Sequence, residues 1–188
     1  EDLEQHLEER FVLLTGGGRA AVDRHHSLQA ALDWSYELLT EPERSLFCLL
    51  SVFRGGFTFE AVNACFSAGS DQLTLDLLTR LVDTSLVVSD LSHPARYSML
   101  ETIREYAAAK LFESGESGDA YRSHASYFAS VLADYTAEVE EGHRAAPFER
   151  LRAEEANIRA AFDWATTSKD SDLALEIAAG MGDFWFER

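Results

Sequence analysis

The chain has 188 residues, 46% of them hydrophobic, and is therefore long enough to bury one large core or two small ones. Only three prolines and few β-branched runs, against many Ala, Leu, Glu and Arg, predict a mainly α protein. The formal net charge of −17 opposes binding to phosphate backbones, so direct contact with nucleic acid is not expected. No apolar run is long enough to span a membrane and the acidic start lacks a signal peptide's basic region, so we expect a cytoplasmic protein without a membrane partner.

The first forty residues predict two helices separated by glycines. Leu3, Leu7, Phe11 and Leu14 recur at helical spacing, and the three glycines at 16–18 predict the end of that helix. These glycines are not a phosphate-binding loop, because no Gly-Lys-Ser/Thr follows them. A loop is predicted to about Arg24, followed by a helix that Ser27 caps and that buries Trp34 and Leu38.

Residues 41–115 carry the signals of a winged-helix module. The run Thr40-Glu41-Pro42-Glu43 predicts the start of a helix over 42–53. Thr58 predicts the cap of a second helix, and Ser70 or Asp71 that of a third, ending near Asp83. Two short strand-like runs, 86–88 and 97–99, then predict a hairpin, and a helix follows over 99–114.

Three further amphipathic helices are predicted beyond the Gly-Glu-Ser-Gly run at 115–118. Their apolar residues lie over 121–132, 148–164 and 173–185. Helices joined by short polar turns resemble the opening of a tetratricopeptide-like array of antiparallel helices. The predicted fold is therefore mainly α, with a winged-helix module and a short β-hairpin followed by tetratricopeptide-like helices.

The chain shows no pattern of a catalytic or metal site. Cys48 and Cys65 sit in apolar helical patterns and are expected to be reduced and buried. No Ser or Cys joins a His and an Asp at a catalytic spacing, so we predict no enzymatic activity. The pair His25-His26 has no ligand at helical spacing, so no metal is predicted. The third helix offers Arg80 as its one cation, which also argues against reading DNA.

Five ordered segments resemble one family. They are residues 24–39, 50–58, 81–87, 99–107 and 151–164. Together they are similar to bacterial STAND regulators, the ATPases related to NB-ARC proteins that are fused to transcriptional-activator or adenylate-cyclase domains. In that family the last winged-helix helix begins Met-His-Asp, and its His touches the phosphate of the nucleotide. Here Met99 matches, Leu100 stands at the His position and Glu101 replaces the Asp.

The resemblance implies a role in a longer regulatory ATPase. Residues 1–40 would end its nucleotide-binding region, 41–115 would form the winged-helix domain, and 116–188 would begin a helical repeat domain. No cofactor is predicted within this chain, whereas ADP or ATP with magnesium would bind the preceding domain. That domain is the expected intramolecular partner, and a protein or small-molecule effector would bind the repeat.

The resemblance also implies nucleotide-facing residues, for which the candidates are Arg24, His25, His26, Met99, Leu100 and Glu101. Leu100 cannot donate a hydrogen bond to phosphate, and Arg24 with the His25-His26 pair is the predicted substitute. The leading hypothesis is a non-catalytic segment that couples nucleotide state to a helical sensor. Two alternatives stay open at this point. The chain could be a winged-helix regulator that binds DNA directly, or a stand-alone helical adaptor for other proteins.

Overall fold

The structure is a computed structural model that describes residues 18–66, 69–90, 95–142 and 145–186. The described part is mainly helical, as predicted. Its helices are α1 (Gly18–Glu37), α2 (Glu41–Leu49), α3 (Phe59–Phe66), α4 (Asp71–Asp83), α5 (Glu101–Ser114), α6 (Ser117–Glu140), α7 (Ala145–Ala153), α8 (Glu155–Thr167) and α9 (Ser171–Phe186). The strands are β1 (Val88–Asp90) and β2 (Arg96–Ser98).

The described residues form two compact units, one within 1–40 and the other within 41–188. The division of the second unit at residue 115, predicted from the glycine-rich run, stays a prediction. The helix predicted over 3–14 lies outside the described residues.

Helix α1 differs from its sequence-based prediction in two ways. It runs continuously from Gly18, so the predicted loop to Arg24 and the cap at Ser27 are wrong. A Ser within a continuous helix can present its side chain to solvent instead of capping. Trp34 and Leu38 are each 65% exposed, so the prediction that they belong to the core is also wrong. Trp34 lies in the last turn of α1 and Leu38 just beyond its end, and helical spacing alone does not say which face of a helix is covered.

The winged-helix domain begins with α2, which passes into a short 3-10 helix over Leu50–Val52. Thr58 accepts a hydrogen bond from the backbone N–H of Ala61 at 3.3 Å and so starts α3, as predicted. Ser70 caps α4, because its hydroxyl accepts from the N–H of Leu73 at 3.2 Å. These local caps fix where α3 and α4 begin.

The wing is an antiparallel pair of short strands. Val88 pairs with Ser98, Ser89 with Tyr97 and Asp90 with Arg96, which confirms the predicted hairpin. Phe57 adds one further bridge to Tyr97, with both N–H···O distances at 2.8 Å. The connection between α2 and α3 is therefore fastened to the wing.

One core runs through the winged-helix domain into the helices that follow it. Phe47, Leu50, Leu78 and Leu81 are almost fully buried among α2, α4 and α5. The ring of Phe53 then packs edge-on against His124 and Phe128 of α6, with ring centroids 5.1 and 6.4 Å apart. Burying such aromatic rings stabilises the joint between the two parts.

The final helices pack around α6, which contacts α7, α8 and α9. Gly180 lets α9 approach closely, because a Cβ there would lie 2.6 Å from the Cβ of Leu132. The single helix predicted over 148–164 is wrong, since a turn at Glu154 divides it into α7 and α8. That turn places Glu154 and Asn157 against the winged-helix domain.

Candidate functional site

A cleft of about 340 Å³ lies where α5 begins. One wall is the turn that connects α2 to α3, from Arg54 to Phe57. The opposite wall is the end of β2 and the first turn of α5, including Met99, Leu100 and Glu101. The cleft is therefore built where the wing, the turn and α5 meet.

An ion pair between the buried Arg104 and Glu101, whose side chain is 65% exposed, forms one end of the cleft. Arg104 is 8% exposed, and its guanidinium donates to both carboxylate oxygens of Glu101, at 3.0 Å from Nε and 2.6 Å from Nη2. Its Nη1 also donates to the backbone carbonyl of Ser51 at 3.3 Å. A two-pronged contact of this kind fixes the positions of both side chains. The carboxylate of Glu101 is thus held at the start of α5.

Arg54 supplies a second guanidinium to the same cleft. Its side chain is 40% exposed, and its Nη1 lies 3.9 Å from Oε1 of Glu101. Burial, followed by the positive charge of Arg104, lowers the pKa of Arg54 from its usual value. The lining residues therefore carry two positive charges against one negative charge. An anion that entered would relieve the repulsion between the two guanidinium groups.

The start of α5 adds to this positive potential. Leu100 is the N-cap residue and makes no side-chain hydrogen bond to the first turn. The first N–H groups of a helix have no partner within the helix and favour negative charge nearby. With Arg54 and Arg104 beside the start of α5, the cleft is suited to hold an anionic group.

Two glycines give the turn its shape. Gly55 and Gly56 have φ angles of +72° and +94°, which other residues rarely adopt. A Cβ on Gly56 would also lie 2.8 Å from the carbonyl oxygen of Tyr97. The turn passes so close to the wing that a larger residue would displace one of them.

Asn157 of α8 binds the backbone of this turn. Its side chain is fully buried; Oδ1 accepts from the N–H of Arg54 at 2.6 Å, and Nδ2 donates to the carbonyl of Gly56 at 2.8 Å. Nδ2 also donates to Oε2 of Glu154 at 2.8 Å. Glu154 in turn pairs with Arg96 of the wing. We call Glu154 and Asn157 together the latch, because they join the helices after the wing to the wall of the cleft.

The predicted nucleotide-facing residues fall in two places. Met99, Leu100 and Glu101 line the cleft, where Leu100 is 60% exposed. Arg24, His25 and His26 belong to α1, but their side chains lie outside the described part of the structure. Their role as substitutes for the phosphate contact stays a prediction.

Sequence reasoning missed three residues of this site. Arg54 and Arg104 were not singled out, although Arg54 stands next to the Gly-Gly pair that marks the turn. Asn157 lies within residues 151–164, which the sequence marks by their apolar spacing and family resemblance without pointing to Asn157 itself. Its signal was a polar residue at a position where the helical spacing calls for an apolar one.

The helix that would enter a DNA groove is α4, the third of the winged-helix domain. Its exposed residues are Asp71, Gln72, Leu73, Leu75, Asp76, Thr79, Arg80 and Asp83. Arg80 is the one cation of α4, and its Nε lies 3.4 Å from a carboxylate oxygen of Glu43. Three aspartates would face the phosphates of a duplex, which disfavours approach to DNA along this face.

The described residues also bear on metal binding, the state of the cysteines and membrane-spanning helices. Within residues 18–66, 69–90, 95–142 and 145–186, no three His, Cys, Asp or Glu side chains lie close enough together to hold a metal ion. Cys48 and Cys65 form no disulfide in the described residues; Cys48 is buried, and burial raises the pKa of the half-buried Cys65 thiol to about 12. None of the described helices combines the length and apolar character needed to cross a lipid bilayer.

Comparison with known proteins agrees with this geometry. Residues 39–112 match the winged helix-turn-helix domain, which covers α2 to α5 together with the wing. This part of the chain is accordingly a winged-helix domain. No solved structure matched the chain.

Several mycobacterial proteins are similar to nearly the whole chain. A protein of Mycobacterium tuberculosis strain H37Rv with the provisional name HTH-type transcriptional regulator Rv0890c is 42% identical over 186 residues, covering 97% of this chain and 21% of its own length. A protein of Mycobacterium bovis with the same kind of name matches to the same extent. The uncharacterized protein Rv0894 of M. tuberculosis is 38% identical over 125 residues, or 63% of this chain and 32% of its own. The chain thus spans about one fifth of the length of the first two relatives.

Proposed function

We propose that this chain is a segment of a bacterial transcriptional regulator. The winged helix-turn-helix match over 39–112 and the regulator names of relatives 42% identical to the chain support this role. A cytoplasmic location is part of the proposal, because such a regulator works where the chromosome is. The activity of the longer protein belongs to the proposal as well, since the chain spans only a fifth of those relatives.

Within that regulator, the proposed task of this chain is non-catalytic coupling. The winged-helix domain would sense the nucleotide state of a preceding domain and pass it to the helices that follow, the start of a tetratricopeptide-like array. The observation that carries this proposal is that one cleft holds Met99, Leu100 and Glu101 and is also held by Asn157 from α8. A change in the preceding domain or in the helices after the wing would therefore alter the same turn.

The proposed ligand of the cleft is a phosphate group of ADP or ATP bound by the preceding domain, with its magnesium. Leu100 cannot donate a hydrogen bond to it, whereas the half-exposed guanidinium of Arg54 can. In this proposal Arg54 performs the phosphate contact that the resemblance assigns to the position of Leu100. Glu101 would be displaced from Arg54 when the phosphate arrives and would keep its pair with Arg104.

The test is ADP binding to the longer natural protein that contains this chain, measured by calorimetry. Removing a charge-assisted contact in Arg54→Gln should weaken ADP binding by roughly tenfold. Arg122→Gln is the matched control, because Arg122 is an exposed cation that pairs with Asp170 away from the cleft. Unchanged ADP affinity in Arg54→Gln would refute the phosphate contact.

Direct DNA binding is the second candidate function. The domain match and the relatives' names support it more directly than they support nucleotide coupling. The acidic outer face of α4 opposes it, so the two candidates predict different behaviour. Fluorescence anisotropy with a labelled DNA duplex at low salt distinguishes DNA binding from nucleotide coupling. Binding that weakens steeply with salt, and weakens further in Arg80→Ala, would establish the DNA-binding candidate; no binding at low salt would leave coupling as the better account.

A protein-interaction role is the remaining alternative. If the longer protein contains no nucleotide-binding loop and binds no ADP, the helices after the wing would act as an adaptor for another protein. In the coupling proposal the same helices receive a protein or small-molecule effector.

A further inference from the structure

We infer that Asn157 is a positioning residue through which the helices after the wing control the shape of the cleft. The regulatory meaning of this inference rests on the proposed function, but the physical linkage itself does not. Asn157 touches no ligand in this proposal and acts on the cleft through the turn formed by residues 54–56.

The turn depends on contacts from outside itself. Its two glycines have positive φ angles and place few restraints on the backbone. At its far end, Phe57 is fastened to Tyr97 by two hydrogen bonds of 2.8 Å. Between that point and the 3-10 helix, Asn157 is the side chain that binds the backbone at both Arg54 and Gly56. Loss of Asn157 would therefore free the segment that carries the Arg54 guanidinium.

The latch contacts one wall of the cleft and the wing at once. Asn157 holds the turn, and Glu154 pairs with Arg96 at the end of the wing, while Arg96 also donates to the carbonyl of Ala153 at 3.3 Å. Glu154 and Asn157 are themselves hydrogen-bonded at 2.8 Å. A rotation of α8 would therefore move the turn and the wing together. This is a defined two-point contact, which is what a linkage between two sites requires.

Burial makes the contact sensitive to any displacement. Asn157 is fully buried, so its amide has no solvent to replace a lost partner. A buried polar group left without its partner destabilises the arrangement that leaves it so. The latch therefore favours one position of α8 over positions slightly removed from it. An effector that shifts α8 would release the turn in one step.

The experiment is hydrogen–deuterium exchange of the 188-residue chain without any ligand, followed by amide-resolved NMR. In Asn157→Ala the amide of Arg54 loses its acceptor, and its exchange should speed up by at least about fivefold. The amide signals of Leu100 and Glu101, across the cleft, should shift as well. Ile158→Val is the matched control, because it trims a buried neighbour on the same helix and leaves the latch intact. Equal Arg54 protection in folded Asn157→Ala and wild-type chain would overturn the inference.

A gentler variant covers the case in which Asn157→Ala does not fold. Glu154→Ala removes one acceptor of the Asn157 amide and the partner of Arg96, but keeps both bonds to the turn. Arg54 exchange should then rise by roughly twofold to threefold, and no change relative to Ile158→Val would count against the latch.

Linkage between two sites is reciprocal, so a change in the turn should also alter α8. This supplies a second test. Gly56→Ala forces a Cβ toward the wing and distorts the turn. The amide of Ile158, which donates to the carbonyl of Glu154 at 2.9 Å, should then exchange faster. Unchanged Ile158 exchange would mean that the turn and α8 move independently. Because no nucleotide or DNA is present, these results stand or fall separately from the ADP and DNA experiments.

Discussion

Acidification should destabilise this protein through one histidine. His124 is 1% exposed and lies between the rings of Phe53 and Phe128, with centroids 5.1 and 4.8 Å away. Its Nε2 has no hydrogen-bond partner among the described residues. Burial lowers the pKa of His124 to about 4; the charge of Arg54 acts in the same direction, and Asn157 opposes it. The folded chain therefore holds this ring neutral.

The magnitude follows from the two pKa values. In the unfolded chain the histidine has a pKa of about 6.5, so between about pH 6.5 and 4 the unfolded state binds more protons than the folded state. The stabilisation is complete above pH 6.5 and is lost as the pH falls toward 4. The full loss is about 3 kcal/mol, from a difference of roughly 2.5 pH units at 1.36 kcal/mol each. Between pH 7.5 and 5 the loss should be about 2 kcal/mol.

Urea denaturation at the two pH values measures this loss. The control is His124→Leu, which keeps an apolar side chain between the two rings and cannot titrate. The carboxylates and the remaining five of the six histidines are common to both proteins, so the difference between their pH dependences isolates His124. The variant should lose about 2 kcal/mol less than the wild-type chain over this interval. Parallel pH dependences would refute the assignment of a buried neutral ring.

Three further predictions concern stability, each checked by urea denaturation at neutral pH. Gly56→Ala should cost more than about 1 kcal/mol, because its φ is +94° and its Cβ would meet the Tyr97 carbonyl; Gly118→Ala, which meets nothing within 4 Å, is the control. Ser70→Ala removes the cap of α4 and should cost about 1 kcal/mol, whereas an equal midpoint would show that the cap is not needed. Leu78→Ala empties a fully buried site and should cost about 2–5 kcal/mol, while the exposed Trp34→Ala should cost within about 0.5 kcal/mol; similar losses would contradict the assigned burial.

Local chemistry explains which parts of the fold could be predicted. Thr58 and Ser70 cap helices through hydrogen bonds to N–H groups three residues away, so the neighbouring sequence contains all the information needed. Ser27 shows the limit of the same rule, because a Ser is compatible with a helix interior as well as with a cap. Trp34 shows another limit, since helical spacing identifies a stripe without saying what covers it.

The candidate site was predicted only in part, for a related reason. Met99, Leu100 and Glu101 were found through a motif in one continuous segment. Arg54 and Asn157 become partners only after the chain folds, and no local pattern records a contact between two such distant positions. The break at Glu154, three residues before Asn157, was also missed, because the apolar periodicity across it is typical of one helix.

The separation of Arg54 and Asn157 by 103 positions also sets an order of events during synthesis. At about 5–20 residues per second, a ribosome delivers Asn157 roughly 5–20 seconds after Arg54. Until α8 has been translated, the glycine turn is fastened to the wing through Phe57 and Tyr97 but lacks its bonds to Asn157. Synonymous codons that slow translation between these two positions would lengthen the period in which the turn is open to proteases and chaperones.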